Sequence, residues 1–239
     1  MQTRANTLSR AGAVHADREY HAVYFKNHRV GEVGSWLAQP DEFLIRHMGR
    51  ISTTGVVVDL GCGPGRLAIP ILSHMQGCAG RIICLDYVEE ALNSLMANTR
   101  RIDHANQLIP LQIDLAHFAL VPDSVDTVVA WSVWEATFSP QEIRAKLEEV
   151  RNAVRACGCV FIMFNTEMRC IVNGRVDASA MERKRGNMRP ADARSLLLGI
   201  FSEWNIIEIE EKKDSEVIES DGRRIEWTST HLMFAASRS

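Results

Sequence analysis

At 239 residues the chain is long enough for one large hydrophobic core, or for one core with a small appendage. Its 46% hydrophobic and 24% charged residues are those of a globular protein, and a net charge of −3 gives no basic field for nucleic acid or an anionic membrane. The six cysteines are scattered, and Cys157-Gly158-Cys159 has neither zinc spacing nor a second pair to complete a site, so reduced thiols and no metal are expected. The first residues, Met-Gln-Thr-Arg-Ala-Asn, lack an apolar stretch of the signal-peptide kind, and no run reaches the ~18 apolar residues of a membrane span. A cytoplasmic protein with no membrane partner is therefore expected.

In chain order, residues 16–27 and 36–48 predict two short helices separated by Val30-Gly31-Glu32-Val33-Gly34. Residues 1–50 stand before the first strand, and residues 51–239 make up the main domain. The β-branched run Val56 to Val58 predicts a buried strand that ends at Asp59. Gly61, Gly63 and Gly65 then form a turn whose missing Cβ atoms let backbone approach a ligand. Pro64 suits the first turn of the helix that follows. Strand, glycine turn and helix make the nucleoside-binding corner of a doubly wound sheet.

Two features set this corner apart from a dinucleotide site. The NAD fingerprint G-x-G-x-x-G requires a third glycine where Arg66 stands, and Asp59 beside the turn would repel a pyrophosphate. A ligand carrying an ammonium and a sulfonium is instead drawn to that acid. The segment Asp59-Leu60-Gly61-Cys62-Gly63-Pro64-Gly65 resembles motif I of the class I S-adenosylmethionine-dependent methyltransferases.

Strands and helices alternate beyond the turn. Residues 81–85 predict a second strand closed by Asp86, 88–100 an amphipathic helix, and 108–113 a third strand closed by Asp114. Residues 125–131 and 160–164 predict further strands on either side of a helix over 141–155. A helix over 194–201 and strands over 204–210 and 231–236 complete the chain, the last two joined by the polar stretch 211–230. This pattern predicts an α/β fold with a doubly wound, mostly parallel, seven-stranded sheet. The family's sheet ends in a reversed C-terminal edge strand, so the resemblance extends over residues 55–239. Small-molecule members carry an N-terminal helical cap, the role the resemblance implies for residues 1–50; a packing or dimer arm is the alternative, and the chain is expected to be a monomer or homodimer.

Ligands of open α/β sheets lie beyond the carboxyl ends of the strands. Asp86 stands where a ribose-binding carboxylate belongs, and Tyr87 is placed to lie against the adenine. Strand-end acids also serve as turn formers and helix caps. By resemblance, Asp114 and Leu115 are the adenine-binding pair, and Trp131 ends the strand whose backbone receives the methionine moiety. The implied cofactor is S-adenosylmethionine, bound by Asp59, Gly61, Cys62, Gly63, Gly65, Asp86, Tyr87, Asp114, Leu115 and Trp131. Ala130-Trp131-Ser132-Val133-Trp134-Glu135 shows no Asn-Pro-Pro-Tyr signature, which disfavours a base- or amide-methylating enzyme. Trp134 and Phe138 are candidates for an apolar substrate cavity, with a plain core role as the other reading. Glu135 is the best-placed candidate base, with His21 and His28 behind it, and His231 is read as structural. The expected activity is methyl transfer to an O, N or S nucleophile of a small molecule. One alternative substrate is RNA or protein, met by the long connection 165–189 with its cluster Arg183-Lys184-Arg185 and Arg189. The other alternative is a non-methylating regulatory module on the same fold.

Overall fold

The computed structural model describes residues 9–102, 104–182, 184–220 and 223–239. The chain opens with α1 (Arg10–Asn27), capped by the Ser9 hydroxyl accepting from the Gly12 amide at 3.2 Å, and the short α2 (Glu42–Arg46). The alternating part runs β1 (Val56–Leu60), α3 (Ala68–His74), β2 (Arg81–Asp86), α4 (Glu89–Thr99), β3 (Leu108–Gln112), β4 (Val125–Trp131), α5 (Pro140–Ala153) and β5 (Val154–Val172). It ends with β6 (Arg175–Val176), α6 (Ala178–Glu182), α7 (Pro190–Ile200), β7 (Asn205–Ser220) and β8 (Arg223–Ser237).

The main path of the sheet has the order β3-β2-β1-β4-β5-β8-β7, with β6 paired to β5 off that path. The first five strands are parallel, and β8 runs antiparallel between β5 and β7. The expected reversed C-terminal strand is thus present, as the inner member of an edge hairpin. Strand order reverses between β1 and β4, which puts a crevice beyond their carboxyl ends.

Each face of the sheet is covered by helices whose apolar stripe points inward. Ile143, Leu147 and Val150 of α5, with Leu197 of α7, pack on Val58, Val128 and Ile162. On the other face Phe43, Ile71, Leu72 and Leu95 pack on Val57, Ile82 and Val129. α5 starts sharply because Pro140 fits the first turn and Ser139 and Glu142 form a reciprocal capping box. A third, smaller cluster joins Tyr24, Phe25 and Leu37 to Val88 and Ala91, and it docks α1 on the start of α4. Among the described residues no helix is long and apolar enough to cross a membrane.

The structure corrects three element expectations. The helix predicted over 36–48 begins only at Glu42, because Pro40 disfavours helix before it and Asp41 caps the Phe43 amide at 2.9 Å. The long connection 165–189 is largely ordered: β5 continues to Val172, followed by β6 and α6. The polar stretch 211–230 is itself strand over its described residues, paired from Glu211↔Leu232 to Ser220↔Arg223. The antiparallel strands β5, β8 and β7 therefore outrun the parallel core and form a wall over its carboxyl ends.

Candidate active site

The glycine turn spends its amides inside the protein. The Gly61 and Cys62 N–H groups both donate to the Leu85 carbonyl, at 2.8 and 3.0 Å. Gly63 donates to Asp86 Oδ2 at 2.9 Å and Gly65 to the Cys62 carbonyl at 3.2 Å, and Pro64 has no N–H. A phosphate cradle depends on a ring of free amides. No N–H from Gly61 to Gly65 is left for one. Gly61 is required at φ +68°, since a Cβ there would lie 2.2 Å from Val133 Cγ1. Gly63, at φ +53°, has nothing nearer its missing Cβ than Phe25 at 3.7 Å, and it lines a cavity of about 590 Å³ beyond the strand ends.

Two acids face this cavity from the centre of the sheet. Asp59 is 2% exposed and its Oδ2 is buried without a partner. Burial, with the Asp86 charge nearby, pushes its carboxyl up to about 8. An orphaned carboxylate of this kind fits a ligand ammonium. Asp86 accepts from Gly63 through Oδ2 and from the Val88 amide through Oδ1 at 2.8 Å. Burial raises its carboxyl against those two hydrogen bonds, and both oxygens keep further acceptor capacity for ligand hydroxyls. Cys62 turns its side chain into the core, 6% exposed, so its place in the turn is a backbone one. Arg66, in the position of the absent third glycine, lines the same end of the cavity with its guanidinium over the Trp36 ring at 5.7 Å.

α1 lies across the cavity and is tied to the residues that line it. Asp114 caps the Ala116 amide at 3.0 Å and takes Arg10 Nη2 on the same Oδ1 at 2.6 Å. Burial raises its carboxyl, but these bonds and the Arg10 charge outweigh it and hold the group below its ordinary value. Asp114 is thus both a cap and a wall residue beside Leu115. The Tyr87 hydroxyl donates to Asp17 Oδ2, and Lys184 Nζ lies 3.6 Å from Asp17 Oδ1. His21 Nε2 faces the same carboxylate at 3.6 Å, its Nδ1 is buried without a partner, and its ring lies within electrostatic reach of Asp86. His21 therefore stands on the Asp86 side of the cavity.

The other end of the cavity begins where β4 stops. Trp131 is 5% exposed, with its indole Nε1 unpartnered. Ser132 turns left-handed at φ +59° and its hydroxyl accepts from Asn165 Nδ2. Glu135 is 3% exposed; its Oε1 accepts from the Asn165 amide, and burial pushes the carboxyl up to about 7. Phe138 lines the cavity, but Trp134 does not. Trp134 is 1% exposed, packed against Phe138 and Phe164 beneath the sheet, so it is a core residue and not part of the substrate wall.

Several lining residues lay beyond the sequence reading. Asp17 is one, and the face of the β7–β8 wall supplies Glu210, Asp214, Glu216 and Trp227. His231, read as structural, lines the cavity and faces Asp214 at 3.5 Å. No alternation announced them, since residues 210–216, Glu-Glu-Lys-Lys-Asp-Ser-Glu, are polar at every position. The basic stretch is spent internally. Arg183 lies outside the described residues, Lys184 faces Asp17, Arg185 donates to the Thr137 carbonyl at 2.7 Å and pairs with Glu142, and Arg189 pairs with Asp192.

Residues 57–158 match a family model described as a methyltransferase domain. No curated protein matches the sequence. Among solved structures, the chain is similar to TehB from Haemophilus influenzae, at a TM-score of 0.62 and 15% identity over 92% of this chain and 67% of that one. It is also similar to Haemonchus contortus phosphoethanolamine N-methyltransferase 2, solved with phosphomonomethylethanolamine and S-adenosylhomocysteine. There the TM-score is 0.63 at 12% identity, over 97% of this chain but only 60% of that enzyme. A third likeness is an S-adenosylmethionine-dependent methyltransferase from Mesorhizobium loti, at a TM-score of 0.56 and 16% identity over 82% of this chain and 97% of that one.

Proposed function

We propose, from the premise that the chain belongs to the class I S-adenosylmethionine-dependent methyltransferases, that it methylates an O, N or S nucleophile of a small molecule. The observation that carries the cofactor half of this reading is the exhausted set of turn amides beside the unpartnered Asp59 carboxyl, which offers an acceptor to an ammonium and no donor N–H to a phosphate. When bound, S-adenosylmethionine supplies a methyl group already activated by its sulfonium. Asp59 holds the amino group, and the Arg66 guanidinium with the Trp131 indole N–H receives the carboxylate. Asp86 accepts from the ribose hydroxyls, while Tyr87, Asp114 and Leu115 border the adenine. Gly61 and Gly63 keep backbone close to the ligand, whereas Gly65, expected beside them, lies outside the cavity lining with its open side against Leu95 and Ile69. His21, on the Asp86 side, belongs with the cofactor and not with proton transfer.

With the donor activated, alignment in a dry pocket is the chief task, a contribution of roughly 7–11 kcal/mol. Residues 9–50 act as the cap, with α1 closing the cavity over the cofactor; residues 1–8 of the expected cap lie outside the described residues. Glu135 accepts the proton that an O–H, N–H or S–H nucleophile must lose, and Phe138 forms part of the apolar wall. A small acceptor is favoured over RNA because the cavity lies beneath α1 and Lys184 is turned onto Asp17 of the cavity wall, while Arg185 and Arg189 pair with Glu142 and Asp192 of the same chain.

The test is release of S-adenosylhomocysteine with panels of small amines, phenols and thiols, alongside RNA at 50 and 200 mM salt. Turnover with a small acceptor, insensitive to salt, is expected. Turnover on RNA alone, with binding that collapses as salt rises, contradicts the reading.

A further inference from the structure

We propose that the acceptor is an organic amine or ammonium compound whose cationic nitrogen sits between the Glu216 carboxylate and the rings of Tyr20 and Trp227. This rests on the methyl-transfer reading and specifies its substrate. β7 turns a charged face, Glu210, Lys212, Asp214 and Glu216, toward the cavity. In register with β8, Glu210 lies opposite Met233, Lys212 opposite His231, Asp214 opposite Ser229 and Glu216 opposite Trp227.

Most of the ionic groups on this side of the cavity are already matched. Arg46 binds Glu208 at 2.9 Å and Glu210 at 2.6 Å. Asp17 faces Lys184, and Asp214 faces His231, which burial pushes toward its neutral form. Glu216 differs: among the described residues no cationic group forms an ion pair with it. It is half-buried, and burial together with the Asp214 charge pushes its carboxyl up, against a weaker pull from His28. A carboxylate in that position lacks a counter-charge, and a ligand cation supplies one.

The surroundings favour an organic cation over a hydrated metal ion. Trp227 is the cross-strand partner of Glu216. Tyr20, on α1, lines the same cavity with its ring stacked on Tyr24 at 6.0 Å, yet remains 45% exposed. The phenols of Tyr20 and Tyr24 are both raised, first by burial and also by the Glu216 charge, so the carboxylate lies within electrostatic reach of both, and Tyr20 shares its cavity. Aromatic faces attract ammonium groups, and more so with a carboxylate at hand. Independently of Glu216, the Trp227 ring already receives an ammonium, that of Lys184 at 5.8 Å. Lys184 also acts on Glu135, so the lysine over Trp227 is within electrostatic reach of the candidate base as well. The seat recognises the acceptor's charge, and the atom to be methylated lies toward Glu135.

Calorimetry on protein loaded with S-adenosylhomocysteine tests this, with choline and 1,4-diaminobutane as probes against succinate and inorganic phosphate. The two cations are expected to bind and the two anions not. Glu216→Gln should weaken the cations at least about tenfold, as the loss of a charge-assisted contact implies, and Tyr20→Leu should weaken choline while keeping the apolar bulk. Both variants should bind S-adenosylhomocysteine as the unaltered protein does. Equal cation binding in Glu216→Gln, no cation binding at all, or preference for phosphate or succinate overturns the amine proposal and leaves methyl transfer standing. Failure of S-adenosylhomocysteine to bind overturns the methyl-transfer reading, and the amine proposal with it.

Discussion

Glu135→Gln is expected to lower kcat by about 10²–10⁴-fold, the range over which a positioned general base contributes, with cofactor affinity unchanged. The substitution keeps the shape of the side chain and an oxygen for the Asn165 amide, and removes only the ability to take a proton. Burial holds the Glu135 carboxyl at about 7, so in the unaltered enzyme kcat/KM should climb as pH rises through that value, as the base form fills. In the glutamine variant that climb should vanish. Stability gives a second readout with its own sign. The folded-state value lies above the ordinary 4.5, so the stabilising contribution is complete below about 4.5 and is lost as pH rises through about 7. Asp59 behaves alike, from 3.8 to about 8. Thermal midpoints should therefore fall between about pH 4 and about 8, and Glu135→Gln should remove the part of that fall lying between about 4.5 and about 7. An unchanged kcat would show that the nucleophile loses its proton elsewhere.

Asp86→Ala should weaken S-adenosylmethionine about 10- to 150-fold, the equivalent of ~1.5–3 kcal/mol for hydrogen bonds to a charged group. The same carboxylate also fixes the glycine turn through Gly63 and starts α4 through Val88. Its removal leaves the Gly63 amide unpaired in a buried place, at a stability cost of about 1–3 kcal/mol. Asp86→Asn separates the two effects. The amide retains an acceptor oxygen but not the charge, so affinity should fall between the two proteins while the melting temperature moves less than in the alanine variant. Calorimetry and thermal melts check both, and undiminished affinity in Asp86→Ala would mean that the ribose is held by other groups.

What was legible in the sequence was local. The run Val56 to Val58, the turn glycines and the strand-end acids are each set by buried apolar side chains or by backbone conformation over a few residues. They placed β1 to β4 within a residue or so and brought Asp59, Asp86, Asp114 and Trp131 to one cavity. What was missed depends on distant partners. Residues 211–230 are polar because one face of the β7–β8 hairpin meets solvent and the other lines the cavity, so no apolar face marked them as strand. Trp134 looked like a wall residue because it lies near Trp131, but the left-handed Ser132 redirects the chain and sends the Trp134 indole into the core. Asp17 and Lys184 meet only because α1 crosses the cavity, a contact across 167 positions (184 − 17) that no local pattern announces.

The central claim is that the glycine turn and Asp59 receive S-adenosylmethionine and not a dinucleotide. Calorimetry of the full chain with S-adenosylmethionine, S-adenosylhomocysteine and NAD tests it directly. The turn's spent amides and the unpartnered acid predict saturable binding of the first two, one per chain, and none of NAD. Tight binding of NAD, with neither sulfur compound bound, would contradict it.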